Sequence, residues 1–147
     1  MNIRQANEQD ILDVARLFDR YRQFYQCEPD IDLATGFITE RIRNRESAIF
    51  IAEHEGAAKG FVQLYPSFCS VDAVRIYILY DLFVEPDKRN AGTGAQLMNR
   101  AADYAREQGA SRVDLLTAHS NKPGQHLYEK LGYRKVLEDF YAYSLVL

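Results

Sequence analysis

Cysteine is scarce in this sequence. The two that occur, Cys27 and Cys69, are far apart and form no Cys-x-x-Cys pair, so we expect reduced thiols in a cytoplasmic protein. No block of five like charges occurs and the net charge is -3, which argues against a nucleic-acid-binding arm or an acidic tail. No apolar run approaches the roughly 18 residues of a membrane span. The opening MNIRQANEQD also lacks the apolar core of a signal peptide.

What the sequence does contain is typical of one soluble domain. It has 147 residues, of which 47% are hydrophobic and 27% charged. We therefore expect a single domain over residues 1–147. Alternation and β-branched or aromatic enrichment predict strands at 2–5, 48–52, 58–65, 74–84, 112–118 and 139–147. Helical spacing predicts helices at 8–25, 37–42, 92–108 and 122–131, which gives an α/β domain around a mixed sheet.

The loop after the longest predicted strand contains two closely spaced glycines. In RNAGTGAQL, Arg89, Gly92 and Gly94 lie where a strand gives way to a helix. The first turn of a helix leaves N–H groups unpaired at its positive end, and glycines expose those amides to an anion. The segment is neither a P-loop nor a dinucleotide fingerprint. It predicts a diphosphate-sized anion cradle, although glycines that merely make a turn would give the same pattern.

A second segment adds to this pattern. In NKPGQHLYEKLGY, Asn121 precedes a short predicted helix and stands seven residues ahead of Tyr128. Taken with the strand YDLFVEPD and the RNAGTG loop, in this order and spacing, the chain resembles the GNAT N-acetyltransferase superfamily over almost its whole length. The resemblance implies a mostly antiparallel central sheet flanked by helices, with a splayed central strand pair.

The resemblance implies acetyl-CoA as the cofactor. Its pyrophosphate would lie on the amides of the loop, its pantetheine arm would pair with the end of the long strand, and Asn121 would hold a pantetheine amide. Arg89 would be either solvated or in contact with a cofactor phosphate, and Asn121 would fit a helix N-cap alone, a role compatible with pantetheine binding. The residues so assigned are Leu82, Phe83, Val84, Arg89, Asn90, Ala91, Gly92, Thr93, Gly94, Ala95, Asn121 and Tyr128.

The implied chemistry is direct attack of a deprotonated amine on the thioester, with no covalent enzyme intermediate. The Val84 N–H is the expected oxyanion donor, and Tyr128 matches the family's general acid, although with Leu127 and Leu131 it would also fit a core stripe. Polyamine-type members carry a glutamate where this sequence has Tyr80. The candidates for a general base therefore stay open among Asp81, Glu85 and His119.

The acceptor is expected to be the primary amine of a small molecule, either a simple amine or an amino-acid-like compound. Tyr25, Tyr80 and His119 are the candidate acceptor-binding residues, because aromatic rings attract ammonium groups. A protein lysine as acceptor, or a non-catalytic CoA-binding regulatory module, remains an alternative. No metal is expected, because His119 and His126 have no carboxylate at ligand spacing. No nucleic acid or membrane partner is expected, and an exposed final strand suggests a homodimer.

Overall fold

The computed structural model describes residues 1–147. Its sheet has five strands in the order β1-β2-β3-β4-β5: Asn2–Gln5, Ala48–His54, Ala57–Cys69, Val74–Val84 and Val113–Asp114. The first three pairings are antiparallel and the last is parallel. The helices are α1 (Ile11–Phe24), α2 (Ile31–Arg43), α3 (Thr93–Glu107) and α4 (Lys122–Lys130). The predicted mixed, mostly antiparallel sheet flanked by helices is confirmed.

The chain divides into two compact units, Met1–Leu116 and Thr117–Leu147. The first contains the whole sheet with α1, α2 and α3, and the second contains α4 and the C-terminal residues. The single domain over 1–147 stays a prediction. No helix is long and apolar enough to cross a membrane.

Polar side chains cap the turn before α1 and the start of α2. The Asn7 side chain accepts from Gln9 N–H, while the Asn7 N–H donates to the Asp10 carboxylate at 2.8 Å, which fixes the turn before α1. The Asp30 side chain accepts from Leu33 N–H at 3.0 Å and starts α2 six residues earlier than the predicted helix at 37–42. The helix is therefore longer than its apolar residues predicted, because its N-cap lies outside the segment that contains them.

Helices α1 and α2 cover one face of the sheet. Their buried side chains pack with those of the strands in one apolar cluster: Val14, Leu17, Phe18, Ala34, Ile38, Ile49, Ile51, Ala58, Phe61 and Phe83. On α3, Leu97, Met98 and Ala101 are buried, and Tyr104 contacts the rings of Phe50 and Tyr77. Because Phe50 alternates with Ile49 and Ile51 along β2, α3 covers the opposite face.

Two predicted strands differ from the structure. The predicted strand at 112–118 pairs only at Val113 and Asp114, so β4 continues for six residues beyond its last partner in β5. The predicted strand at 139–147 is wrong, since these residues form no ladder and are exposed. Alternation shows only that a segment could bury one face, whereas a strand also needs a partner edge. The homodimer, which was expected from that strand, stays a prediction.

Candidate active site

A β-bulge in β4 changes the direction of its backbone groups. Gln63 pairs with Asp81 while Leu64 pairs with Leu79, so Tyr80 has no partner in β3. In a regular strand, amides two residues apart point to the same side. Tyr77 N–H donates away from β3, to Arg112 O at 3.2 Å, whereas Glu85 N–H donates to Lys59 O in β3 at 2.8 Å. The extra residue at Tyr80 accounts for this reversal.

The bulge turns the end of β4 toward its open edge. Because Glu85 N–H points to β3, the amides of Val84 and Leu82 point the other way, where no strand of the sheet pairs with them. Phe83 N–H points to β3, so only two of the three predicted pantetheine-binding residues present backbone groups outward. The Val84 carbonyl accepts from Arg89 Nε at 2.8 Å, and the Arg89 guanidinium lies 5.6 Å from the centre of the Phe83 ring.

The glycine loop leaves a row of amides without backbone partners. Before it, the N–H groups of Lys88 and Arg89 donate to Glu85 O and Pro86 O, and after it Gln96 N–H donates to Gly92 O at 3.0 Å. Residues 89–92 form a turn, yet none of the six amides from 90 to 95 makes a backbone hydrogen bond of normal distance and angle. We call these six backbone N–H groups the amide row: Asn90, Ala91, Gly92, Thr93, Gly94 and Ala95.

Gly92 is the N-cap of α3 and adopts a left-handed conformation, with φ 80° and ψ 1°. A Cβ at this position would point into open space, with no heavy atom within 4 Å. Glycine is thus required here by the backbone conformation rather than by crowding. No side chain caps α3, so the positive end of its dipole is not compensated by a capping group of the chain.

His54, the last residue of β2, reaches the same helix end. Its Nε2 lies 3.2 Å from the Oγ1 of Thr93, which is 1% exposed. This contact joins the end of β2 to the first residue of α3. A histidine close in sequence to the hairpin glycine gave no signal of this long-range contact.

Asp81 in β4 and Glu85, which directly follows this strand, differ in their surroundings. Glu85 lies in contact with Arg16, with Lys59 at 3.1 Å and with Arg20 at 3.4 Å. Burial disfavours its charged form, but hydrogen bonds from Arg16 and Lys59 outweigh burial and lower the pKa of the Glu85 carboxyl. An anion held by three cations is a weak proton acceptor.

Asp81 is 2% exposed and has no ion-pair partner. Burial raises the pKa of its carboxyl to about 7, against hydrogen bonds from Gln63 and Tyr21 that lower it. A carboxyl with a pKa near neutrality can accept and release a proton at physiological pH. Of these two carboxyls, Asp81 is therefore the better candidate for a base.

The candidate acceptor residues Tyr25 and Tyr80 are linked through Tyr21. The Tyr21 hydroxyl donates to the Tyr80 carbonyl at 2.9 Å, and its ring lies 5.1 Å from that of Tyr25. Tyr80 is 64% exposed and its ring is perpendicular to that of Tyr65 at 6.1 Å. These rings form an exposed aromatic surface beside Asp81.

The comparison with known proteins gives one family. The chain matches the Acetyltransferase (GNAT) family over residues 12–133. It is 47% identical over 135 residues to an uncharacterized N-acetyltransferase of Bacillus subtilis, covering 92% of this chain and 91% of that protein. The chain belongs to the GNAT acetyltransferase family. It is accordingly an acetyl-CoA-dependent acyltransferase.

Solved GNAT-fold structures resemble it over the full length. The crystal structure of a probable acetyltransferase has a TM-score of 0.90 and 34% identity, covering 100% of this chain and 98% of that chain. An aminoglycoside N-acetyltransferase in complex with CoA has a TM-score of 0.83 and 20% identity, covering 97% and 93% of the two chains. The second similarity concerns the fold alone.

The GNAT family uses acetyl-CoA, and the residues of this chain fit that molecule. The amide row supplies uncompensated donors at a helix N-terminus, which is the donor set that a diphosphate binds. The outward N–H groups of Leu82 and Val84 supply an edge to which an amide-containing arm can pair in the manner of a strand. Arg89 adds a cation at the start of the loop.

The remaining predicted site residues belong to the second unit. Asn121 accepts from Gly124 N–H at 3.2 Å and donates from Nδ2 to Thr117 Oγ1 at 3.0 Å, so the N-cap role expected for it is observed. Tyr128 is half-buried on α4, with its ring 6.2 Å from that of Tyr133. His119 is exposed, and its carbonyl accepts from Gln125 at 2.9 Å.

Sequence reasoning missed Gln63, which is fully buried and donates to the Asp81 carboxylate. A signal was present, because Gln63 interrupts the apolar run FVQLY as Asp81 interrupts ILYDLFV. A polar side chain within a buried strand requires a partner, so the two interruptions could have been paired.

Proposed function

We propose that this protein transfers the acetyl group of acetyl-CoA to the primary amine of a small molecule, either a simple amine or an amino-acid-like compound. The observation that supports this most directly is the amide row, whose donors lack backbone partners directly after the outward-facing end of β4. When bound, acetyl-CoA supplies the activated acyl group. The amide row and Arg89 would hold its phosphates, and the outward-facing end of β4 its pantetheine arm. The role of Asn121 toward that arm is proposed from the family resemblance alone.

Three groups of the chain would act on the reacting atoms. The Val84 N–H would donate to the thioester oxygen as negative charge develops there, since it points to the open side of β4. Asp81 would accept the proton that the acceptor ammonium must lose before its nitrogen can attack. Tyr128 would donate a proton to the departing thiolate, a role proposed from the family resemblance.

The acceptor class is proposed from the surface beside Asp81. Tyr80 and Tyr25 present exposed rings, and a ring face attracts an ammonium group by roughly 0.5–1 kcal/mol at exposed sites. Such a surface favours an amine whose charge approaches Tyr80 before its proton is removed.

A thiol-release assay tests this function. Purified protein is incubated with acetyl-CoA and a panel of polyamines, amino acids, aromatic amines, aminoglycosides and lysine peptides, and free thiol is followed. Turnover of a free amine well above that of every peptide supports the proposal, whereas preferential turnover of peptides favours a protein acceptor. Calorimetric binding of acetyl-CoA with no thiol release on any acceptor would instead indicate a non-catalytic module.

A further inference from the structure

A chain of polar side chains crosses the buried interior beside β3 and β4. Ser47 Oγ donates to Gln63 Oε1 at 2.7 Å, and Gln63 Nε2 donates to the Asp81 carboxylate. Because the Ser47 bond engages the amide oxygen, the NH₂ group of Gln63 is directed to Asp81. The Asp81 carboxylate thus has one fixed donor on its β3 side.

Tyr21 of α1 provides the other contact. Its hydroxyl donates at 2.9 Å to the carbonyl of Tyr80, the chain neighbour of Asp81, and its interaction with the Asp81 carboxyl lowers the pKa of that carboxyl. A hydroxyl carries one proton and two lone pairs, so it can donate to only one of these acceptors at a time. With Asp81 ionised, Tyr21 donates to Asp81. With Asp81 protonated, Asp81 donates to Tyr21 Oη, and Tyr21 donates to the Tyr80 carbonyl.

The Ser47 side cannot conduct this proton. Ser47 lines a cavity of about 420 Å³ beside β1 and α2, but the Gln63 amide stands between Ser47 and Asp81. An amide N–H has no basic lone pair on its nitrogen and does not pass protons as a hydroxyl does. The rings of Phe61 and Phe83 lie on the same face of the sheet as the Asp81 side chain and carry no exchangeable proton. Tyr21 is therefore the contact of Asp81 through which a proton can move.

We propose that Tyr21 is a proton relay that connects the buried Asp81 carboxylate to the acceptor ammonium. The ammonium gives a proton to Tyr21 Oη as the Tyr21 proton passes to Asp81, which leaves a neutral amine and a protonated carboxyl. The reverse movement returns the proton to solvent after turnover. The ionisable side chains near the carboxyl include Tyr21 from α1, Tyr65 from β3 and Tyr80 from β4. Arg41 from α2 and Glu46 act on Tyr65, and no cation forms an ion pair with Asp81 itself.

This inference depends on the proposed function for the identity of the proton donor, but the hydrogen-bond exchange can be tested without an acceptor. The variant is Tyr21→Phe, which keeps the ring contacts to Phe61 at 6.2 Å and Tyr25 at 5.1 Å. The matched control is Tyr104→Phe, which removes a hydroxyl that is hydrogen-bonded to Tyr77 on the other face of the sheet.

Two readouts are compared for the two variants. The first is the pH titration of the ¹³Cγ resonance of Asp81 in the free protein, assigned with Asp81→Asn. The second is kcat/KM against pH with the best amine of the panel. In Tyr21→Phe the Asp81 titration should move to higher pH, because ionised Asp81 has lost a donor, and kcat/KM at neutral pH should fall about 10²-fold. Tyr104→Phe should change neither.

An unchanged Asp81 titration and an unchanged rate in Tyr21→Phe would overturn the relay. An equal loss of rate in Tyr104→Phe would overturn it too, since a general effect of lost hydroxyls would then suffice. In the Asp81→Asn background, Tyr21→Phe should cost no further activity. If no amine is turned over by the unmodified protein, the proposed function fails, while the carboxyl titration still decides whether Tyr21 is coupled to Asp81.

Discussion

Gly92→Ala tests the amide row most directly. Gly92 has a φ of 80° with no heavy atom within 4 Å of an added Cβ, so the methyl group would be strained but not crowded. A left-handed conformation costs a residue with a side chain about 1–2 kcal/mol. The loop can relieve this strain by moving φ to a negative value, which rotates the adjacent peptide planes. We therefore expect a loss of about 1 kcal/mol in stability and at least a tenfold loss in CoA affinity, roughly 1.4 kcal/mol.

Gly109→Ala is the matched control for this substitution. Gly109 follows the C-terminal end of α3 with a φ of 78° and equally open space around an added Cβ. It should lose about the same stability, measured by chemical unfolding, and no CoA affinity, measured by calorimetry. If both variants bind CoA as tightly as the unmodified protein, or lose affinity equally, the amides at 90–95 do not hold the diphosphate.

Three further substitutions separate the neighbouring groups. Asp81→Asn should abolish the rise of kcat/KM with pH near 7. Because folding raises the pKa of the Asp81 carboxyl from 3.8 to about 7, the substitution should also stabilise the fold above pH 7 by up to roughly 4 kcal/mol, with no gain below pH 3.8. Equal stability of the two proteins at pH 8 would contradict the argument that burial raises this pKa. Glu85→Gln should lower stability by roughly 2 kcal/mol yet leave the shape of the pH–rate profile unaltered, and a displaced profile would mean that Glu85 rather than Asp81 is the base. His54→Ala should weaken CoA binding by a few fold through Thr93, while the exposed His126→Ala should have no effect, and calorimetry on both proteins decides.

Local signals predicted most of the elements, because they depend on residues close in the chain. The Asn7 cap preceded the predicted first helix, and the run of β-branched and aromatic residues at 74–84 became β4 with the same bounds. The prediction of a strand at 139–147 was wrong because alternation does not reveal whether the edge of another strand is available for pairing. The predicted strand at 112–118 pairs with β4 only as far as Asp114, opposite Ile78 and just before the bulge at Tyr80, which the local sequence does not reveal.

The site was predicted less completely than the fold. The helix start at the glycine loop could be predicted, since it follows from the local sequence, whereas anion binding by the loop stays a prediction. The contacts of Asp81 could not, because Gln63 and Tyr21 are distant in sequence and meet it only through strand pairing and helix packing. The bulge at Tyr80 was hidden as well, because an unbroken apolar run looks the same with or without an extra residue.

That single extra residue gives position 80 an unusual freedom. No residue of β3 is paired with it in the ladder, so exchanging its side chain costs the fold only the edge-to-face contact with Tyr65. Deleting it, in contrast, would rotate Asp81 to Val84 by half a turn and reverse every group that they present. Acceptor specificity can therefore change through substitutions at position 80, whereas the number of residues in β4 must stay the same.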